Sequence, residues 1–322
     1  MFNFIFLEKE YNRMKLITQV PLSKSSKPID YHSKILLMGS CFAESMGEKL
    51  EYNKFQSVTN PFGIIFNPIS IEKLLQRVVH KNPFTEADIF FHNAIWQCYE
   101  VHSELSHPDK TIFLDRLNEV LFDFNKQINC STHCLITYGT SWVYQLKSTN
   151  EMVANCHKVP QSQFNKILLS IASIEQSIQN TVSLMQSVNP SCQVTFTISP
   201  VRHTKDGFIE NQRSKAHLIA ALHPSLNYFP SYEIMMDELR DYRFYTSDLL
   251  HPNELAIDYI WERFCESSIS ESSYKIMQTV ASIQKGLTHR AFNLDSENHK
   301  KFLNELHQKI NKLQEEFPFM KF

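Results

Sequence analysis

The apolar run Ile35-Leu36-Leu37-Met38 ends at Gly39 and passes through Ser40-Cys41-Phe42-Ala43 into a helix-like stretch, Glu44 to Leu50. A short buried strand that turns at a glycine directly into a helix commits the chain to a sheet covered by helices. The same turn is a place to mount a nucleophile, because a helix N-terminus offers free N–H groups and the positive end of the helix dipole. Two nucleophilic side chains, Ser40 and Cys41, stand side by side in it.

The rest of the chain repeats the rhythm. His133 to Tyr138 and Gln193 to Ile198 read as further buried strands, the first followed by Gly139 and the second by Ser199-Pro200; Tyr242 to Phe244 and Tyr245 read as a fourth. Helical spacing of apolar residues covers 69–80, 113–128, 162–188 as one or two helices, 211–222 and 252–266, the last opening with proline in its first turn. Strands alternating with helices predict an α/β fold, a parallel sheet with helices on both faces. Two segments interrupt it. Residues 84–107 read as short strands crossing over the site, and residues 142–158 as a hairpin of Trp142-Val143-Tyr144 against Met152-Val153-Ala154. In the tail, Phe302, Leu306, Ile310, Leu313 and Phe317 form one helical stripe over 296–317, suited to packing on the domain or on a second copy in a homo-oligomer.

No repeat or linker divides the chain, so residues 14–322 are expected to form a single domain. The apolar Met1 to Leu7 has no basic flank and runs into Glu8-Lys9-Glu10, unlike a signal peptide or a membrane span. Met14 reads as a start, with residues 1–13 an extension. Only six glycines are present, and each is expected to answer a backbone need.

A formal net charge of −2 gives no basis for nucleic acid or an anionic membrane as partner. Seven cysteines, odd in number and irregularly spaced, do not form a disulfide framework and suit a reducing cytoplasmic setting. Cys130-x3-Cys134 with His133, and Cys98-x3-His102, lack the paired spacing of a structural zinc site, so no metal is expected.

Asp248 lies three residues before His251 in a loop entering a helix. There the carboxylate can orient the imidazole while its other nitrogen faces a nucleophile. In an open parallel sheet this pair and the Gly39 turn both belong at the C-terminal strand ends, where ligands bind. Asn155 and His157 could line that pocket or belong to the hairpin. Arg202 and His203, after Ser199-Pro200, could bind an acidic or polyol substrate or form a loop salt bridge.

These motifs, with Asn60 to Pro68, Gly139-Thr140-Ser141-Trp142-Val143-Tyr144, Asn155 to Pro160 and Ser199 to His203, make the chain resemble the GSCFA-domain family, placed among SGNH/GDSL-type hydrolases. The resemblance runs from about Met14 to the C-terminal helix. It implies a three-layer, flavodoxin-like α/β/α domain and a hydrolase or acyltransferase acting on an ester-linked acyl group, on a carbohydrate or small ester, without metal or organic cofactor. Carried over by position, Cys41 falls on the nucleophile and Ser40 on the residue before it. Gly63 falls on the oxyanion-hole glycine, and Asp248 and His251 on the acid–base pair. Gly139-Thr140-Ser141 falls on the block that supplies an asparagine oxyanion donor, with Ser141 in its place. A Cys41 thiolate beside a histidine at a helix N-terminus is then expected to be stabilised. The rival expectation is a non-catalytic module that keeps the pocket for ligand binding.

Overall fold

The computed structural model describes residues 17–289 and 296–322. The expected extension 1–13 and the start at Met14 lie outside the described residues. Along the first half come β1 (Lys34–Gly39), α1 (Cys41–Tyr52), β2 (Gln56–Thr59), α2 (Pro68–Val79), β3 (Phe90–His92), β4 (Ile95–Gln97) and α3 (Lys110–Cys130). They are followed by β5 (His133–Tyr138), β6 (Trp142–Leu146), β7 (Met152–Val153), β8 (Phe164–Leu168) and α4 (Ile171–Val188). Next are β9 (Gln193–Ile198), α5 (Phe208–Ala220), β10 (Asn227–Phe229) and α6 (Ser231–Glu233), a single turn that runs on as a π-helix over Ile234–Glu238. The chain closes with α7 (Glu254–Ser268), α8 (Ser273–Thr288) and α9 (Glu297–Glu316).

Five strands form one parallel sheet in the order β10-β9-β5-β1-β2. Alternation along β1 builds the layers: Leu36 and Met38 join one buried cluster with α2, α3 and α4, while Ile35 and Leu37 join another with α1, α7, α8 and α9. Both faces are covered, so this is the expected α/β architecture. Of the tail stripe, Leu306, Leu313 and Phe317 are buried, with Phe317 5.4 Å from the Tyr31 ring, while Ile310 is partly buried and Phe302 is exposed.

Several element expectations are corrected. Tyr242–Phe244 is a 3-10 turn rather than a strand; its place in the sheet is taken by β10, and β2 forms the other edge. Residues 162–188 are not all helical, since Phe164–Leu168 is β8 and α4 begins only at Ile171. Pro252 precedes the helix, and Asn253 caps α7 by accepting from Ala256 N at 3.1 Å. The predicted hairpin forms, with Tyr144 paired to Val153, and β8 adds a third strand to it. Residues 84–107 do form a short hairpin, β3–β4, whose Phe90 stacks on Tyr99, itself 6.0 Å from Phe164 of that small sheet; further on, His102 and Glu104 pack at Gly63, and the segment supplies none of the cleft lining described below. Among the described residues no helix is long and apolar enough to cross a membrane.

Candidate active site

The C-terminal rim of the sheet carries the candidate residues. At β1, Gly39 has φ +136, in the range that disfavours any side chain. Its N–H donates to Asn60 Oδ1 at 2.8 Å, and the next N–H, of Ser40, donates to Thr137 O at 3.1 Å. Ser40 is the N-cap of α1: its hydroxyl accepts from Phe42 N at 3.3 Å, and the residue is 1% exposed. Cys41 is the first helical residue and is half-buried. The cap explains why serine precedes the cysteine.

The expected stabilised thiolate is not what the surroundings favour. Burial pushes the Cys41 thiol up, and Glu44, one turn on, pushes it further. The N–H groups of Phe42 and Cys41 itself and the Lys215 ammonium pull the other way without offsetting burial.

Asp248 and His251 are in contact. His251 Nδ1 lies 2.6 Å from Asp248 Oδ2, while Asp248 Oδ1 accepts from the Thr246 hydroxyl at 2.6 Å and from the N–H of Leu250 and His251 at 2.8 and 3.0 Å. Those donors, the Thr246 hydroxyl foremost, hold the carboxyl well below the usual carboxylate range. The loop is tight, with Leu249 at φ +59. Arg202 clamps it: its N–H donates to Leu250 O and its Nη1 to Leu249 O, both at 3.1 Å. The guanidinium is boxed by the rings of Phe208, Tyr242 and Tyr245 at 5.3–5.8 Å. Arg202 thus holds backbone rather than forming the loop salt bridge considered from sequence.

His251 borders a cleft of about 260 Å³ together with Phe66, Thr140, Trp142, Arg202 and His203. His203 is held down to about 3 by burial, with Lys215 and His251 adding to the effect, so it is neutral at ordinary pH. Its Nε2 is buried without a hydrogen-bond partner among the described residues. No hydrogen bond among the described residues joins His251 to Cys41 or Ser40.

The remaining expected positions do not serve as written. The Gly63 N–H is spent on Asn60 O at 2.8 Å, and its φ of +74 marks a turn glycine rather than a free oxyanion donor. Ser141 is 0% exposed; its hydroxyl donates to Ser214 O at 3.1 Å and its N–H to Ser214 Oγ at 2.8 Å, tying the β5 end to α5. Thr140 shares Ser214 Oγ at 2.7 Å. Asn155 closes a turn by accepting from His157 N at 2.8 Å. His157 is buried with Nε2 2.7 Å from Cys98 O, so this pair is hairpin structure away from the cleft. Cys130 is exposed at the end of α3 while Cys134 is buried in β5, and no three His, Cys, Asp or Glu side chains among the described residues group to hold a metal ion.

Lys215, which no local pattern announces, is 1% exposed and donates to Gly139 O and Ser199 O, each at 2.7 Å. Its place at the rim comes from topology, since β5 and β9 are neighbours and α5 packs over β9.

A sequence profile described as the GSCFA family matches residues 34–264. The chain belongs to the GSCFA family. A second profile, the C-terminal domain of GSCFA domain proteins, matches residues 280–322, a range of this GSCFA protein that holds the second half of α8 and all of α9. No curated protein matches the sequence. The crystal structure of a carbohydrate esterase family 3 protein from Talaromyces cellulolyticus aligns over 78% of this GSCFA chain and 99% of its own, at 9% identity and a TM-score of 0.33.

Proposed function

We propose that the protein is an acyl hydrolase or acyltransferase acting on an ester-linked acyl group, with Cys41 as nucleophile and Asp248–His251 as its acid–base pair. The observation that carries this reading is the 2.6 Å Asp248–His251 contact at the edge of the cleft. A carboxylate fixed by three other donors orients an imidazole whose Nε2 makes no protein hydrogen bond among the described residues.

The chemistry is a two-step acyl transfer. Cys41 Sγ forms a bond to the ester carbonyl carbon as its thiol proton passes to a basic side chain at the strand ends, and the C–O bond to the alcohol then breaks. Protonated His251 gives its proton to the departing alkoxide and regains one from water, whose oxygen attacks the thioester; the released thiolate takes back the proton held by that side chain, which restores the thiol. An acceptor alcohol in place of water makes the reaction a transfer. Phe66, Trp142 and Tyr144 line the cleft, and aromatic rings of this kind pack on the C–H face of a sugar, which supports a carbohydrate ester. Seven free cysteines support a reducing, cytoplasmic setting.

A second reading, a binding module without catalysis, draws on the spent donors of Gly63 and Ser141. Turnover of p-nitrophenyl acetate with mass mapping of the acylated peptide separates the two. The expected result is acylation on Cys41, no turnover in Cys41→Ala, and turnover slowed by about 10²–10⁴-fold in His251→Ala. Acylation on Ser40 would move the nucleophile by one residue. If the wild type neither turns over nor becomes acylated by p-nitrophenyl acetate, propionate or butyrate, the binding module is the reading that stands.

A further inference from the structure

A buried lysine without a carboxylate needs a reason, and Lys215 makes no ion pair among the described residues. Its two acceptors, Gly139 O and Ser199 O, each belong to the first residue past a strand, β5 and β9 respectively. Cys41 stands at the same rim. Ser40 N–H is bonded to Thr137 O, two residues before Gly139 on the same strand path. Lys215 and Cys41 thus crown adjacent strands, one reached from α5 and the other from α1.

An amine whose two N–H groups are held by carbonyls has one tetrahedral position left. In the ammonium it is an N–H; in the neutral amine it is a lone pair. The titratable groups whose charges couple to Lys215 are Cys41 from α1 and His203 from the loop after β9, and the Tyr232 ring lies 5.5 Å away at α6. His203 Nε2 lies 3.2 Å from where a Cβ on Gly139 would stand.

We infer that Lys215 is the proton acceptor for Cys41, so that a cysteine–lysine pair generates the nucleophile and His251 serves the alcohol and the water. This rests on the acyl-transfer reading. In the step, the Sγ–H bond breaks, the proton joins the Nζ lone pair, and the sulfur electron pair bonds to the carbonyl carbon. The carbonyl π pair moves onto oxygen, beside the new ammonium. The pair begins neutral and needs no outside acid or base. Burial brings Lys215 down to about 7 and pushes Cys41 up, so both tend toward their uncharged forms, and each opposes that effect in the other.

The test reads ionisation rather than turnover. Cys41 alkylation by iodoacetamide is followed against pH by peptide mass in the full-length wild type, Lys215→Met and His251→Gln. Lys215→Met is expected to raise the alkylation midpoint by about one pH unit or more and to slow the reaction near pH 7 by about tenfold, with His251→Gln leaving the midpoint in place. A midpoint that moves with His251→Gln and stays fixed in folded Lys215→Met overturns the pair. If Lys215→Met does not fold, lysine ¹³C NMR titration of the wild type and Cys41→Ser decides. The Lys215 midpoint is expected to fall when the thiol is removed, and an unchanged midpoint overturns the pair. No ester enters either readout, so failure of the pair and failure of the hydrolase reading are separate results.

Discussion

Gly39 and Thr137 are paired across β1 and β5 so closely that a Cβ on Gly39 would stand 2.1 Å from the Thr137 carbonyl oxygen. With φ at +136 as well, the position excludes every side chain twice over. Gly39→Ala is expected to lower stability by at least about 1–3 kcal/mol, read from the urea midpoint, because strain and clash both act. A wild-type midpoint would show that β1 and β5 part at no cost.

Ser141 stands where an oxyanion donor was expected, yet its hydroxyl is bonded to Ser214 O inside the protein. Ser141→Ala should cost about 1 kcal/mol of stability and leave ester turnover unchanged. A loss of turnover of about 10²–10³-fold with stability intact would return Ser141 to the oxyanion site.

His203, His157 and His133 all have their pKa lowered, first by burial. Their folded values lie below the unfolded one near 6.5, so below that pH the unfolded chain binds more protons. Their contribution is fully present above about pH 6.5 and is lost as pH falls toward the folded values, by up to about 1.4 kcal/mol per pH unit for each histidine. Urea midpoints between pH 7 and pH 5 should fall, and His203→Gln should flatten that decline. An identical slope in wild type and variant removes His203 from the account.

Phe317 closes α9 against Tyr31, which itself stacks on Phe55 at 4.4 Å. If the C-terminal helix belongs to one cooperative unit, Phe317→Ala should cost about 3–5 kcal/mol and leave a single unfolding transition. Two separate transitions would divide the chain between α7 and the tail.

The central strands were readable because neighbours on both sides and helices on both faces force them to be apolar throughout, as in Ile35 to Met38. Edge strands escape that demand. Gln56-Ser57-Val58-Thr59 and Asn227-Tyr228-Phe229 are short and partly polar, so neither stood out. Phe164, Ile167 and Leu168 stand at i, i+3 and i+4, the spacing of a helix face, which hid β8 inside an apparent helix. Tyr242 and Tyr245 looked like strand residues but serve as walls around Arg202. Asp248 and His251 were legible because their contact is local, three residues apart. Lys215 was not, since a lone lysine on a helix ordinarily faces water and only the crossing of α5 over β9 buries it.

The small antiparallel sheet has a property of its own. Trp142 and Leu168, its first and last residues, are paired to each other, so the insertion leaves and re-enters the domain at a single point. It contributes Trp142, Tyr144 and Lys166 to the cleft wall, while Cys41, Lys215 and His251 are supplied by other parts of the chain. A graft that exchanges residues 142–168 for those of a relative therefore replaces that part of the wall and keeps the proposed reacting groups. Within such a lineage, this part of the cleft lining and the proposed reacting groups are free to evolve on separate stretches of one gene.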